Sequence, residues 1–189
     1  MEVFLIFIAA AFENNFVLSQ LLGIYPSISY NNSKVAHKLW EGLLMTLTTI
    51  VLAVLIYIIH LFVLEPLNLN YLSIMVTILL SFLIAHIMTI ISNRGSKYGK
   101  KISSNDIVSN SIVLAVILFS IDLGATLPSI MTAALGAGIG YTLVSTLLIY
   151  IIDVIDEDSL IQAFRGVPIR LLSLGLMALA FWGVSGISF

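Results

Sequence analysis

Six apolar runs of roughly membrane-spanning length constrain this chain more than any single motif in it. A helix needs about 20 apolar residues to cross the ~30 Å hydrocarbon core of a bilayer. The runs are approximately Val3 to Ile24, Leu43 to Leu64, Leu69 to Ile91, Ile107 to Leu123, Ser129 to Ile152 and Val167 to Ile187. Charged residues make up 10% of the chain, far below the roughly 25% of a soluble domain. The expectation is an all-α integral membrane protein of six transmembrane helices, with residues 1–189 forming a single membrane domain. Glu2 stands where a secretory signal would carry basic residues, so the first span is read as retained.

The connecting segments set orientation. They are the polar stretch Ser27 to Trp40, the tight turn Glu65-Pro66-Leu67-Asn68, the basic loop Ser92 to Ser104, the short Asp122 to Pro128 and the acidic Asp153 to Gly166. Pro66 stops one helix and opens the next, and Pro128 suits the first turn of the helix after it. All 8 basic residues fall in or beside the first, third and fifth loops. Those loops are therefore assigned to the cytoplasm and both termini to the other side. Three spans per half then make a 3+3 inverted repeat, with half-repeats at about 1–92 and 105–189, whose polar sites form near the midplane from interrupted helices.

The first and fourth spans carry the polar residues such a plan needs. Glu13, Asn14 and Asn15 sit inside an apolar run that closes with Gly23-Ile24-Tyr25-Pro26, so a helix break is expected near Gly23 to Pro26. Asn110-Ser111-Ile112-Val113-Leu114 follows Asn14-Asn15-Phe16-Val17-Leu18 in kind, with Asp106 just upstream. Glu13 reads either as part of an inter-helix hydrogen-bond network or as a titrating member of an ion path. Asn14, Asn15 and Asn110 either cap broken helix ends or touch an ion. Asp106 either favours a helix start or joins that path. Gly136-x-x-x-Gly140 lets two backbones approach closely, within the chain or between subunits.

Much chemistry is excluded. With no Cys, the chain supplies no thiolate for zinc or an iron–sulfur cluster. His60 and His86 stand singly, without metal-ligand spacing. No nucleophile–base pair or phosphate-cradling Gly loop is present, and the basic residues form no stripe that tracks phosphates, so nucleic acid is set aside. Alone, the chain is expected to catalyse nothing.

Three motifs together resemble one family. Asn14-Asn15-Phe16-Val17-Leu18 with Leu22-Gly23-Ile24-x-Pro26 is similar to the opening signature of the RnfA/NqrE family of membrane subunits. Pro66-Leu67-Asn68-Leu69-x-Tyr71-Leu72 resembles its segment after the second span, and Phe164-Arg165-Gly166 followed by Gly175-Leu176-Met177-x-Leu179-Ala180-Phe181-x-Gly183-x-Ser185-Gly186 its last. The resemblance implies a six-helix subunit of a prokaryotic inner-membrane complex that couples electron flow from ferredoxin or NADH to movement of Na⁺ or H⁺. It implies a sister six-helix subunit of inverted orientation, other Rnf/Nqr-type subunits and the lipid as partners. It also implies a shared 2Fe–2S cluster held by cysteines at two positions, which here are Tyr25 and Ser111. Phenol and hydroxyl oxygens are poor substitutes for soft thiolates, so a cluster-less or altered site is expected. Glu13 and Asp106 stand where the family pattern has apolar residues, which suits a site adapted to a cation or proton, along Glu13, Asn14, Asn15, Asp106 and Asn110. A stand-alone ion or small-solute transporter on the same scaffold, or a structural assembly subunit, are the alternatives.

Overall fold

A computed structural model describes residues 6–13, 15–23, 35–95, 111–112, 114–116, 126–155 and 160–185. Regular structure among them is entirely helical. The elements are a π-helical turn Ala9–Glu13, α1 (Phe16–Gln20), α2 (Val35–Ile59) continued by a π-helical turn His60–Leu64, α3 (Ser73–Gly95), α4 (Leu127–Val154) and α5 (Val167–Ser185), with short 3-10 turns Asn70–Leu72 before α3 and Gln162–Phe164 before α5. Among the described residues, three stretches are long and apolar enough to cross a membrane: Leu39–Leu64, Asn70–Asn93 and Leu127–Val154. Val167–Gly183 is a shorter apolar helix.

The surface explains the composition. Ile74, Met75, Leu79, Phe82, Leu83 and Ile91 of α3 are all exposed, an arrangement that suits hydrocarbon and not water. Buried hydroxyls are satisfied inside their own helices: Thr48 Oγ1 donates to Leu44 O at 2.7 Å, Ser145 Oγ to Tyr141 O at 2.7 Å and Ser173 Oγ to Ile169 O at 2.9 Å. Their polarity is thereby hidden from the apolar surroundings.

Helix α4 occupies the middle of the packing, against α2, the first segment and α5, while α3 packs on α2. Its buried face (Ile130, Ala134, Ala137, Tyr141, Val144 and Leu148) joins Leu52, Ala53 and Ile56 of α2 and Leu174 and Met177 of α5 in one core. The α2–α4 crossing is reciprocal. A Cβ on Gly42 would strike the Thr142 side chain, and a Cβ on Gly138 would lie 2.7 Å from Thr46 Cα. Each threonine hydroxyl donates at 2.8 Å to the carbonyl of the glycine four residues earlier on its own helix, Thr46 to Gly42 and Thr142 to Gly138. Both Gly-x-x-x-Thr pairs are 96 residues apart in the chain, the offset that also separates Asn14 from Asn110.

Two expectations are corrected. The polar stretch Ser27 to Trp40 is not all loop, because α2 begins at Val35. Packing accounts for this early start: Trp40 Nε1 donates to Ser92 Oγ at 3.0 Å, tying the beginning of α2 to the end of α3. The loop expected from Ser92 to Ser104 also starts later, because α3 runs to Gly95. The first span leaves the helix at Leu21 and Gly23, next to the expected break, and in addition earlier, at Asn15. The expected turn and the proline start of α4 hold. Residues 65–68 form the turn, with Asn68 at φ 55°, and α4 opens with Pro in its first turn after Thr126. The expected fourth span is described only at 111–112 and 114–116, where it is helical, and its interruption lies outside the described residues.

Candidate functional site

The site is built around a break in the first span. Residues 6–8 are helical, the next five form the π turn Ala9–Glu13, and at Asn15 the backbone leaves the helix (φ −58°, ψ 113°) before α1 begins. Asn15 is 2% exposed and joins the two pieces. Its Oδ1 accepts from Val17 N at 3.0 Å, the N-cap bond of α1, and its Nδ2 donates to Ala11 O at 2.9 Å. The side chain thus satisfies one orphan donor and one orphan acceptor that the break creates. After five residues α1 ends with Leu21 in the left-handed region (φ 57°), followed by Gly23 at φ 72°. A left-handed non-glycine residue costs roughly 1–2 kcal/mol, so the surrounding packing holds this turn in place.

The turn reaches the other half of the chain. Gly23 N donates to Ser111 Oγ at 3.0 Å across 88 residues of sequence. Ser111 is half-buried, and the adjoining Ile112 and Val116 belong to the core. The two polar half-chain openings are therefore joined by a direct hydrogen bond.

Helix α4 makes room for the break through its small residues. A Cβ on Gly136 would lie 2.8 Å from Ala10 Cβ and 2.9 Å from Phe7 O, and one on Gly140 would lie 2.7 Å from Asn15 Nδ2. The Gly-x-x-x-Gly pattern is therefore used within the chain, where it seats the interrupted segment. Beside Asn15 a cleft of about 320 Å³ opens between this segment and α5, lined by Phe12, Asn15, Ser19, Gly175, Ala178 and Trp182.

Of the residues singled out in the sequence, Asn15 and Ser111 are thus described, Asn15 at the start of α1 and Ser111 bonded to the turn that follows it. The backbone of Glu13 ends the π turn, while its side chain, together with Asn14, Tyr25, Asp106 and Asn110, lies outside the described residues. Among the described residues, no group of three His, Asp or Glu is placed to hold a metal ion.

Sequence reasoning missed one acidic residue. Glu41 of α2 is 2% exposed and Tyr141 of α4 is 1% exposed, and the Tyr141 hydroxyl donates to Glu41 Oε1 at 3.3 Å. Because Tyr141 follows Gly140, the carboxylate and the Asn15 break meet α4 at adjacent residues. The signal was available: Glu41 lies two residues inside the apolar stretch that starts at Leu39, but the sequence alone places the start of that span after it, at Leu43.

The sequence profile of the family described as "Rnf-Nqr subunit, membrane protein" matches residues 3–188. This chain belongs to the Rnf-Nqr family. Its similarity to other Rnf-Nqr members runs end to end. It is 34% identical over 190 residues to a component of the "ion-translocating oxidoreductase complex" of Alcanivorax borkumensis, covering 98% of this chain and 97% of that one. It is 31% identical over 189 residues to a component of the "Na(+)-translocating ferredoxin:NAD(+) oxidoreductase complex" of Acetobacterium woodii, covering 98% of each. The corresponding component of the ion-translocating oxidoreductase complex of Syntrophotalea carbinolica is 30% identical over 189 residues, covering 98% of this chain and 97% of that one. As an Rnf-Nqr protein the chain is a membrane protein, in keeping with the exposed apolar faces of its helices.

Proposed function

We propose that this chain is the membrane module of an Rnf/Nqr-type complex that couples electron transfer, from ferredoxin or NADH, to movement of Na⁺ or H⁺ across a prokaryotic inner membrane. The observation that carries the reading is the Gly23–Ser111 hydrogen bond, which ties the opening of one half of the chain to the opening of the other beside an interrupted helix. Interrupted helices that meet inside a membrane protein are where ion sites are built in inverted-repeat transporters. The repeat itself, with halves at about 1–92 and 105–189, is supported by the α2–α4 crossing, and the basic residues of the first, third and fifth loops favour both termini on the non-cytoplasmic side. At the crossing a glycine meets a threonine twice in the same 96-residue register, the mutual contact of two equivalent elements about a two-fold axis. The relatives named above are subunits of complexes. By that analogy this chain works beside further subunits, including a sister of inverted orientation.

The 2Fe–2S cluster expected from the resemblance does not fit the described residue at its position. Ser111 offers a hard hydroxyl oxygen, and that oxygen accepts a hydrogen bond from Gly23 N. Soft iron–sulfur irons take thiolates. Electron transfer is accordingly left to other subunits, and this chain contributes the ion side of the coupling through Glu13, Asn14, Asn15, Asp106 and Asn110.

Purification from native membranes through a tag on this chain tests the reading. The expected result is co-purification with a sister subunit, and no stoichiometric 2Fe–2S spectrum from the pair. A chain that purifies alone and moves ions alone in liposomes would instead establish the stand-alone transporter. A cluster that persists in the Tyr25→Phe, Ser111→Ala double variant would overturn the altered-site part only. For the ion path, Glu13→Gln is expected to lower the ions moved per electron in sealed vesicles, and an unchanged ratio removes Glu13 from it.

A further inference from the structure

The most unusual group in the described core is the Glu41 carboxylate. Acidic side chains within transmembrane segments are rare and costly, and where they occur they commonly line ion pathways or proton relays. The bland explanation is that Glu41 and Tyr141 hold the α2–α4 crossing together, and the crossing itself argues against it. Under the 96-residue register, the counterpart of Glu41 is Ala137 and the counterpart of Tyr141 is Met45, both 2% exposed. The same helix pair therefore presents two buried apolar residues where its other half presents a carboxylate and a phenol. The reciprocal Gly and Thr contacts are present at both places, so the crossing forms without a polar pair.

We propose that Glu41, with Tyr141 as its hydrogen-bond partner, is a proton-carrying site on one side of the α2–α4 crossing, reached by the coupling reaction of the complex. The proposal rests on the function given above. The step is one proton taken up at a Glu41 carboxylate oxygen, forming an O–H bond, and the same proton released later with that bond broken. A phenol suits both states, since its hydroxyl donates to the carboxylate and its oxygen accepts from the protonated acid. A proton fits better than a metal cation, because a proton needs a single oxygen lone pair, whereas hard cations collect several oxygen ligands. Titratable groups on the helices packed against α2 are few among the described side chains. They are Tyr141, Tyr150 and Asp153 on α4 and His86 on α3, and Tyr141 is bonded to the carboxylate. On α2 itself His37 and Lys38 stand one turn earlier in the sequence.

The location also supplies what a two-fold repeat lacks. A module whose halves are equivalent and oppositely directed has no preferred direction. An acid on one side, with alanine at the matching place on the other, makes the two halves of an ion path unequal.

The test uses the whole complex in sealed, sodium-free vesicles, driven with reduced ferredoxin and NAD⁺, with protons moved per electron as the readout. Glu41→Gln is expected to lower that ratio severalfold while the content of this chain in the complex stays near that of the unmodified protein. Glu41→Asp should restore most of the ratio, and Tyr141→Phe should fall between. An unchanged ratio in Glu41→Gln overturns the proposal, as does absence of proton movement by the unmodified complex. Loss of the chain from the complex in both Glu41→Gln and Tyr141→Phe would mean the pair is a structural tie, and also ends it. Failure of the tagged chain to bring down any complex sinks the underlying function instead, so the two failures are distinguishable.

Discussion

Gly138→Ala is expected to destabilise the detergent-purified protein by about 3 kcal/mol, the upper end of the usual cost of overpacking, read as a lower midpoint of thermal unfolding by circular dichroism. Helix propensity alone favours alanine over glycine by about 1 kcal/mol, so any loss reports steric overlap. The added Cβ would stand 2.7 Å from Thr46 Cα, a backbone atom that no side-chain change moves. Gly42→Ala is the informative contrast, since the atoms nearest its Cβ would be side-chain atoms of Thr142. That variant should lose about 2 kcal/mol and recover much of it when combined with Thr142→Gly. The pairing Gly138→Ala with Thr46→Gly should recover little. Equal rescue in both pairs would show that the two halves of the crossing are looser than the contacts imply.

The second large effect belongs to Asn15. Asn15→Ala removes an N-cap, worth about 1 kcal/mol. It also strips Ala11 O and Val17 N of their partners, where a buried unsatisfied group costs about 1–3 kcal/mol. A total near ~3 kcal/mol is expected in the same unfolding measurement. Asn15→Asp keeps an acceptor for Val17 N but turns a second oxygen toward the Ala11 carbonyl, so at neutral pH it should be at least as damaging. A protonated carboxyl donates where the amide did, so the Asp variant should regain stability as pH falls while the Ala variant does not. Similar behaviour of the two at all pH values would show that the Ala11 bond contributes little.

The course of the chain was largely legible in its sequence where polar and apolar residues alternate on the scale of whole spans. The turn at residues 65–68, the Pro start of α4 and the apolar character of every long helix follow from composition and proline chemistry. The break near Gly23 was legible in the sequence, and the further one at Asn15 was not. Gly23 and Pro26 are the usual helix breakers, and Gly23 does adopt a positive φ. The backbone also leaves the helix earlier, because the Asn15 side chain replaces the lost backbone bonds and Gly140 leaves space for it. Asparagine beside a tertiary glycine is not a signal that can be read along one strand of sequence. Glu41 was overlooked for a related reason: it falls between the loop that ends at Trp40 and the span that starts at Leu43, whereas contact with α3 and α4 draws α2 back to Val35. The Gly-x-x-x-Thr echo at Gly42 and Gly138 was visible on the page, yet its meaning depends on knowing that each glycine faces the other helix's threonine.

That mutual fit also limits how the molecule can move. Sliding α2 along α4 by one turn, about 5.4 Å, would drive both threonines out of their notches at once and press side chains against backbone at two places. The shear route to conformational change is thereby closed for the central pair, which behaves as a fixed keel. Any rearrangement that accompanies turnover must be carried by the pieces hung on it: the pivot at Asn15, the left-handed corner at Leu21 and the outer helices α3 and α5.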